Sequence, residues 1–147
     1  MDLISEFMIR HHRECDAGFA RAGEKAQAAD WDGLRREAAG VLAELERHIA
    51  VEEELLFPAF EERTGMNEGG PTATMRMEHG QMRGMFAQMR AATEARDAAR
   101  YLETSETLLA LLEQHNIKEE SMMYPMLDQA LGEDAAPLLE QVHGAIH

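Results

Sequence analysis

Long runs rich in Ala, Leu, Glu, Met, Arg and Gln alternate with short polar breaks, and within the runs apolar side chains recur on one helical face. β-branched residues are scarce, so the pattern predicts an all-α protein. The breaks are AADWDG around Asp30, RTGMNEGGPT from Arg63 to Thr72, ARDAAR around Asp97 and LGEDAAP from Leu131 to Pro137. They cut the chain into four main helices, Asp2 to Gln27, Trp31 to Arg63, Pro71 to Ala95 and Ala98 to Leu131, with a short helix from Ala135 to His147. Asp30 and Asp97 are candidate N-caps, because a short carboxylate there accepts the orphan N–H groups of a first turn. Gly65 and Gly132 are candidate stops, where the chain needs positive φ.

The pattern repeats. Offsetting the chain by 67 positions without a gap sets residues 8–65 over 75–132 and gives 15 identities in 58. His12/His79, Asp30/Asp97, His48/His115, Glu52/Glu119, Glu53/Glu120, Pro58/Pro125 and Gly65/Gly132 are among them. Two helical hairpins of one design, packed together, make an up-down four-helix bundle with a pseudo-twofold axis.

Within each half the repeated polar set is one His on the first helix and His-x-x-x-Glu on the second. A spacing of four is about 400°, so His48 and Glu52 share a helix face, as do His115 and Glu119. Leu45 and Leu55 flank the first pair, and Leu112 and Met122 the second, which puts both pairs on the inward apolar stripe. Burying four imidazoles and two carboxylates together is costly unless something pairs them. A single core histidine is usually satisfied by a carbonyl, but six residues recurring in register point to metal. Imidazole suits iron, zinc, copper or nickel, and a carboxylate can bridge two ions. The six ligands suggest two metals, each on the two histidines of its own hairpin, bridged by Glu52 and Glu119. The ions would keep open positions for water, hydroxide, an oxo bridge, O₂, peroxide or NO. His11, His143 and His147 have no counterpart histidine and are expected at the surface.

Other repeated positions carry weaker expectations. Pro58 and Pro125 remove an N–H inside a helix and predict a kink just past the metal-binding turn. Tyr124, standing where the first half has Phe57, is expected to pack its ring with the hydroxyl at the surface. Cys15 and most of the methionines read as core filler. Glu53 and Glu120 point about 140° from the histidines and are expected behind the ligands or in solvent.

Composition narrows the partners. The chain has 147 residues and is expected to form a single domain over 1–147, with 14 Lys+Arg against 28 Asp+Glu for a net charge of −14. That disfavours nucleic acid and anionic membrane surfaces. No stretch approaches the length of a membrane span, and Asp2 and Glu6 stand where a signal peptide would be basic. One cysteine fits a reducing compartment, so a cytoplasmic location is expected.

The set His12, 48-HIAVE-52, His79 and 115-HNIKE-119 resembles the hemerythrin-like, HHE cation-binding family, as do the flanking HIAVEEELLFPAF and HNIKEESMMYPML. The resemblance covers residues 2–131. It implies a non-haem di-iron centre, two iron ions with oxo or hydroxo and carboxylate bridges, and so supplies iron as the metal. The oxygen carriers of the family have a second histidine one turn from the third-helix ligand; here those positions are Met75 and Arg83. The site therefore resembles those of the iron-centre-repair domains, the iron-responsive hemerythrin-like domains and other small HHE proteins more than those of the carriers. Two functions follow: a module that binds or senses O₂, NO or peroxide with a separate redox or signalling partner, or a di-iron enzyme acting on peroxide or NO or donating iron to iron–sulfur clusters. A metal-free or zinc-filled structural bundle is the third.

Overall fold

The computed structural model describes residues 3–66 and 68–146. The expected helix start at Asp2 and the expected exposure of His147 fall outside the described residues. Helix α1 spans Ile4–Gln27, and α2 spans Trp31–Val51, running through a π turn, Glu52–Leu56, into α3, Phe57–Thr64. Helix α4 spans Pro71–Glu94, and α5 spans Ala98–Lys118, running through a second π turn, Glu119–Met123, into α6, Tyr124–Leu131. A 3₁₀ turn, Gly132–Asp134, leads into α7, Ala135–Ala145. The described residues contain no strand. The result is the expected all-α bundle of four long helices, α1, α2–α3, α4 and α5–α6, with a C-terminal helix added.

Every element of the first hairpin recurs 67 residues later, as the sequence repeat predicts. The caps recur too: Asp30 accepts from the Gly33 N–H and Asp97 from the Arg100 N–H, both at 3.0 Å. Gly65 (φ +74°) and Gly132 (φ +54°) close α3 and α6 with positive φ, which costs glycine nothing.

The prolines act differently from a simple kink. In each long helix the turn before the proline widens, so that Phe57 N–H donates to Glu52 O and Tyr124 N–H donates to Glu119 O, five residues back. The wider turn relieves the clash of the proline ring with the preceding turn and adds one residue to it. Everything after it shifts face by one position. Leu56 and Met123 are buried, whereas Leu55 is half-buried and Met122 is exposed, so the expectation that Leu55 and Met122 flank the inward face is corrected.

The core has two apolar layers. One gathers Phe19, Leu34, Leu42, Leu45, Met82, Phe86, Met89, Tyr101 and Leu108 towards the Asp30 and Asp97 turns. The other gathers Met8, Leu56, Phe57, Phe60, Met75, Met123 and Tyr124 at the opposite end, where Val142 and Ile146 of the C-terminal segment also pack. Cys15 is buried in the first layer, as expected. Along each long helix a buried polar group stands between the two layers, and these groups form one belt.

Candidate metal centre

That belt is made of His12 on α1, His48 at the end of α2, His79 on α4, His115 on α5, and Glu52 and Glu119 at the first position of the two π turns. All six are buried, the two glutamates and His79 completely. The six expected residues are thus brought together. Donor atoms of His12, His48, Glu52 and Glu119 lie within 4.8 Å of one another, as do those of Glu52, His79, His115 and Glu119. Each group takes both histidines of one hairpin, and the two glutamates belong to both.

The histidines are aimed by hydrogen bonds behind them. His12 Nδ1–H donates to Glu120 (2.7 Å), His79 Nδ1–H to Glu53 (2.9 Å) and His115 Nδ1–H to Glu78 (2.7 Å). The fourth partner is another histidine. His11 Nε2–H donates to Glu44 (2.9 Å), which leaves His11 Nδ1 to accept from His48 Nδ1–H at 2.8 Å. These tautomers follow from the acceptor-only carboxylates at the outer end of each chain, and they turn all four Nε2 atoms inward, towards Glu52 and Glu119. Glu44, Glu53, Glu78 and Glu120 are held below the usual carboxylate range: burial pushes each up, and Arg47, Arg83, Lys118 and Arg13 respectively outweigh it by hydrogen bonding.

Two expectations are corrected here. His11 is buried, not solvent-facing, because it supports His48. Its counterpart at the offset of 67 is Glu78, which supports His115; reading the repeat for function rather than for identity would have found both. His143 is exposed, as expected. Tyr124 is fully buried, and its hydroxyl lies inside the belt rather than at the surface. Five residues are about 140° off in an α-helix, but the π turn brings Tyr124 round to the face of Glu119. Glu53 and Glu120 sit behind His79 and His12, the first of their two expected places.

The charge distribution inside the belt is unbalanced. Burial and the neighbouring Glu52 carboxylate push Glu119 up, whereas Glu52, despite its own burial, is held well down by His48, Glu119 and His79. Burial pulls His115 down, but Glu119, Glu52 and Glu78 carry it up to about 9. His79 also rises, its burial outweighed by Glu52, whereas burial lowers His12. Among the described residues, Glu52 Oε1, His79 Nε2 and Glu119 Oε2 are buried side-chain atoms with no hydrogen-bond partner. His79 Nε2 and Glu52 Oε1 are 3.1 Å apart yet misaligned for a hydrogen bond. Orphaned nitrogen and oxygen donors facing one another are what a cation would satisfy, so the residues present fit a metal ion.

A buried His/Glu belt across a four-helix bundle defines a class of metal-binding helical proteins. The family model of the hemerythrin HHE cation-binding domain matches residues 3–127, and the chain belongs to that family. No curated protein and no solved structure matches the chain with statistical significance. No helix among the described residues is long and apolar enough to cross a membrane.

Proposed function

We propose that the protein holds two iron ions, one on His12 and His48 and one on His79 and His115, with Glu52 and Glu119 shared between them. The observation that carries this reading is the pair of four-donor groups with both carboxylates in common. Six protein residues leave two such ions with open positions, and iron bound there would supply redox chemistry and affinity for O₂, NO or peroxide.

The residues around the ions act by holding and excluding. The outer carboxylates and His11 fix each imidazole in the tautomer that presents its Nε2. The two apolar layers keep bulk water away. The clefts beside the centre, one of about 420 Å³ lined by His11, Cys15, Gly18 and Glu44 and one of about 460 Å³ lined by Arg13, Leu112 and Glu120, reach the supporting residues. A belt buried this deeply suits a diatomic molecule or peroxide rather than a large substrate. We therefore read the protein as a cytoplasmic binding or sensing module for such a ligand, within a single domain.

The test is to purify the protein anaerobically, quantify metal per chain, and record visible spectra before and after O₂, azide, peroxide and NO. About two irons per chain with a stable, reversible adduct is the expected result. Zinc alone, or no uptake on reconstitution with iron, contradicts the di-iron reading. Sustained turnover of peroxide or NO would make the protein an enzyme instead.

A further inference from the structure

We propose that Tyr124 is a seventh protein ligand, binding through its phenolic oxygen the ion held by His12 and His48, so that the two ions are chemically unlike. The proposal rests on the two-ion reading above.

Tyr124 Oη lies 3.1 Å from His12 Nε2, 3.2 Å from His48 Nε2, 2.7 Å from Glu52 Oε2 and 3.0 Å from Glu119 Oε1. Those four residues are one of the two donor groups. Neighbouring donors around an ion at ~2.1 Å stand ~3 Å apart when they meet at right angles. An oxygen at that distance from all four occupies a further corner of the same donor shell.

Hydrogen bonding does not account for the position. With the Nδ1–H tautomers set by their outer partners, His12 and His48 both turn lone pairs towards Oη, and Glu52 and Glu119 turn carboxylate oxygens. A phenol has one proton and can serve one of these acceptors. Five lone-pair-bearing atoms crowded together are stabilised by a cation among them. The side chain has nowhere else to go: it is completely buried, its ring packs 5.7 Å from the His12 ring, and the π turn fixes its direction.

The other half supplies the internal control. Phe57 is the counterpart of Tyr124, and its ring lies at the same 5.7 Å from the ring of His79. It has no oxygen to offer, and the three orphaned donor atoms of the belt, Glu52 Oε1, His79 Nε2 and Glu119 Oε2, all face that half. The ion on His79 and His115 thus has one protein ligand fewer, and it is the ion at which an external small molecule binds. Ligation exchanges the phenol O–H bond for an O–iron bond, and the proton leaves to solvent.

A phenolate on ferric iron gives a visible charge-transfer band and resonance-enhanced ring vibrations, readouts that do not depend on activity. We would load the full chain with iron, count iron per chain, and record resonance Raman spectra with ordinary and ring-deuterated tyrosine. The expected result is a band whose ring modes shift with deuteration, disappear in Tyr124→Phe while both irons are kept, and strengthen in Phe57→Tyr. The other tyrosine, Tyr101, lies in the apolar layer and is not enhanced. The wild-type spectrum and Phe57→Tyr carry the test even where Tyr124→Phe folds poorly. Two irons without tyrosine modes overturn Tyr124 ligation and leave the two-ion reading standing; a chain that takes up no iron overturns both.

Discussion

The two hairpins share helix bounds, caps, π turns and the buried His/Glu positions at a constant offset of 67, yet they part at two points that touch the belt. Tyr124 stands against Phe57, and Glu78 stands against His11. In the first subsite a buried hydroxyl contacts every donor, and His48 leans on a neutral imidazole with Glu44 behind it. In the second, donors face one another unsatisfied, and His115 leans on a carboxylate held by Lys118. The repeat builds a symmetric frame, and the departures from it give the two proposed metal positions different surroundings.

The largest effect tests what the halves share. Glu52→Ala or Glu119→Ala is expected to empty both positions together, measured as metal per chain; a full complement in either variant contradicts the shared role. Stripping the metal from the wild type comes next. At free metal 100 times Kd, binding contributes about 2.7 kcal/mol to stability. For a chain of this size that is a fall in Tm of roughly 5 to 10 °C on metal removal, read by calorimetry. An unchanged Tm would mean the ions are not held by the folded belt.

Acidification should separate the halves. His115, carried up to about 9, and His79, also raised, hold protons in the metal-free chain that metal must displace, whereas His12 is lowered. Affinity at the second subsite therefore rises with pH up to about 9 and falls about tenfold per unit below it for each proton displaced. Competition titrations at several pH values should show the His79/His115 ion leaving first; loss of both in one step would erase the distinction.

Smaller effects sharpen the outer partners. His11→Ala should keep its metal at saturating iron, since His12 is the proposed ligand, while weakening the first ion about tenfold; Glu78→Ala should do the same to the second. A chelator titration of each variant reads this, and equal loss at both ions would contradict it. The smallest effect lies in the packing. A Cβ on Gly18 would meet Val41 Cγ2 at 2.7 Å, so Gly18→Ala should cost about 1 kcal/mol in chemical denaturation. Its counterpart, Met85, is already large, and Met85→Gly should lose contacts rather than relieve a clash.

Much of this frame is legible in the sequence because a fixed offset aligns caps, stops and ligands at once. The six candidate ligands stand out because they recur in register and both His-x-x-x-Glu pairs land on a predicted inward face. What spacing alone misreads lies beyond the π turns. Counting at 3.6 residues per turn sends Tyr124 to the surface and Met122 inward, and one extra residue in the turn reverses both. The paired prolines were the available signal for that extra residue. His11 escaped for another reason: a supporting residue is recognised by what stands behind a ligand, and Glu78 in the matching position does the same work with a different side chain.

The central claim is two ions sharing two carboxylates. Anomalous diffraction at the iron edge from a crystal of the iron-loaded protein tests it most directly. The account predicts two peaks, one beside His12 and His48, the other beside His79 and His115, with Glu52 and Glu119 reaching both. A single peak, or two peaks that do not share these glutamates, would contradict it.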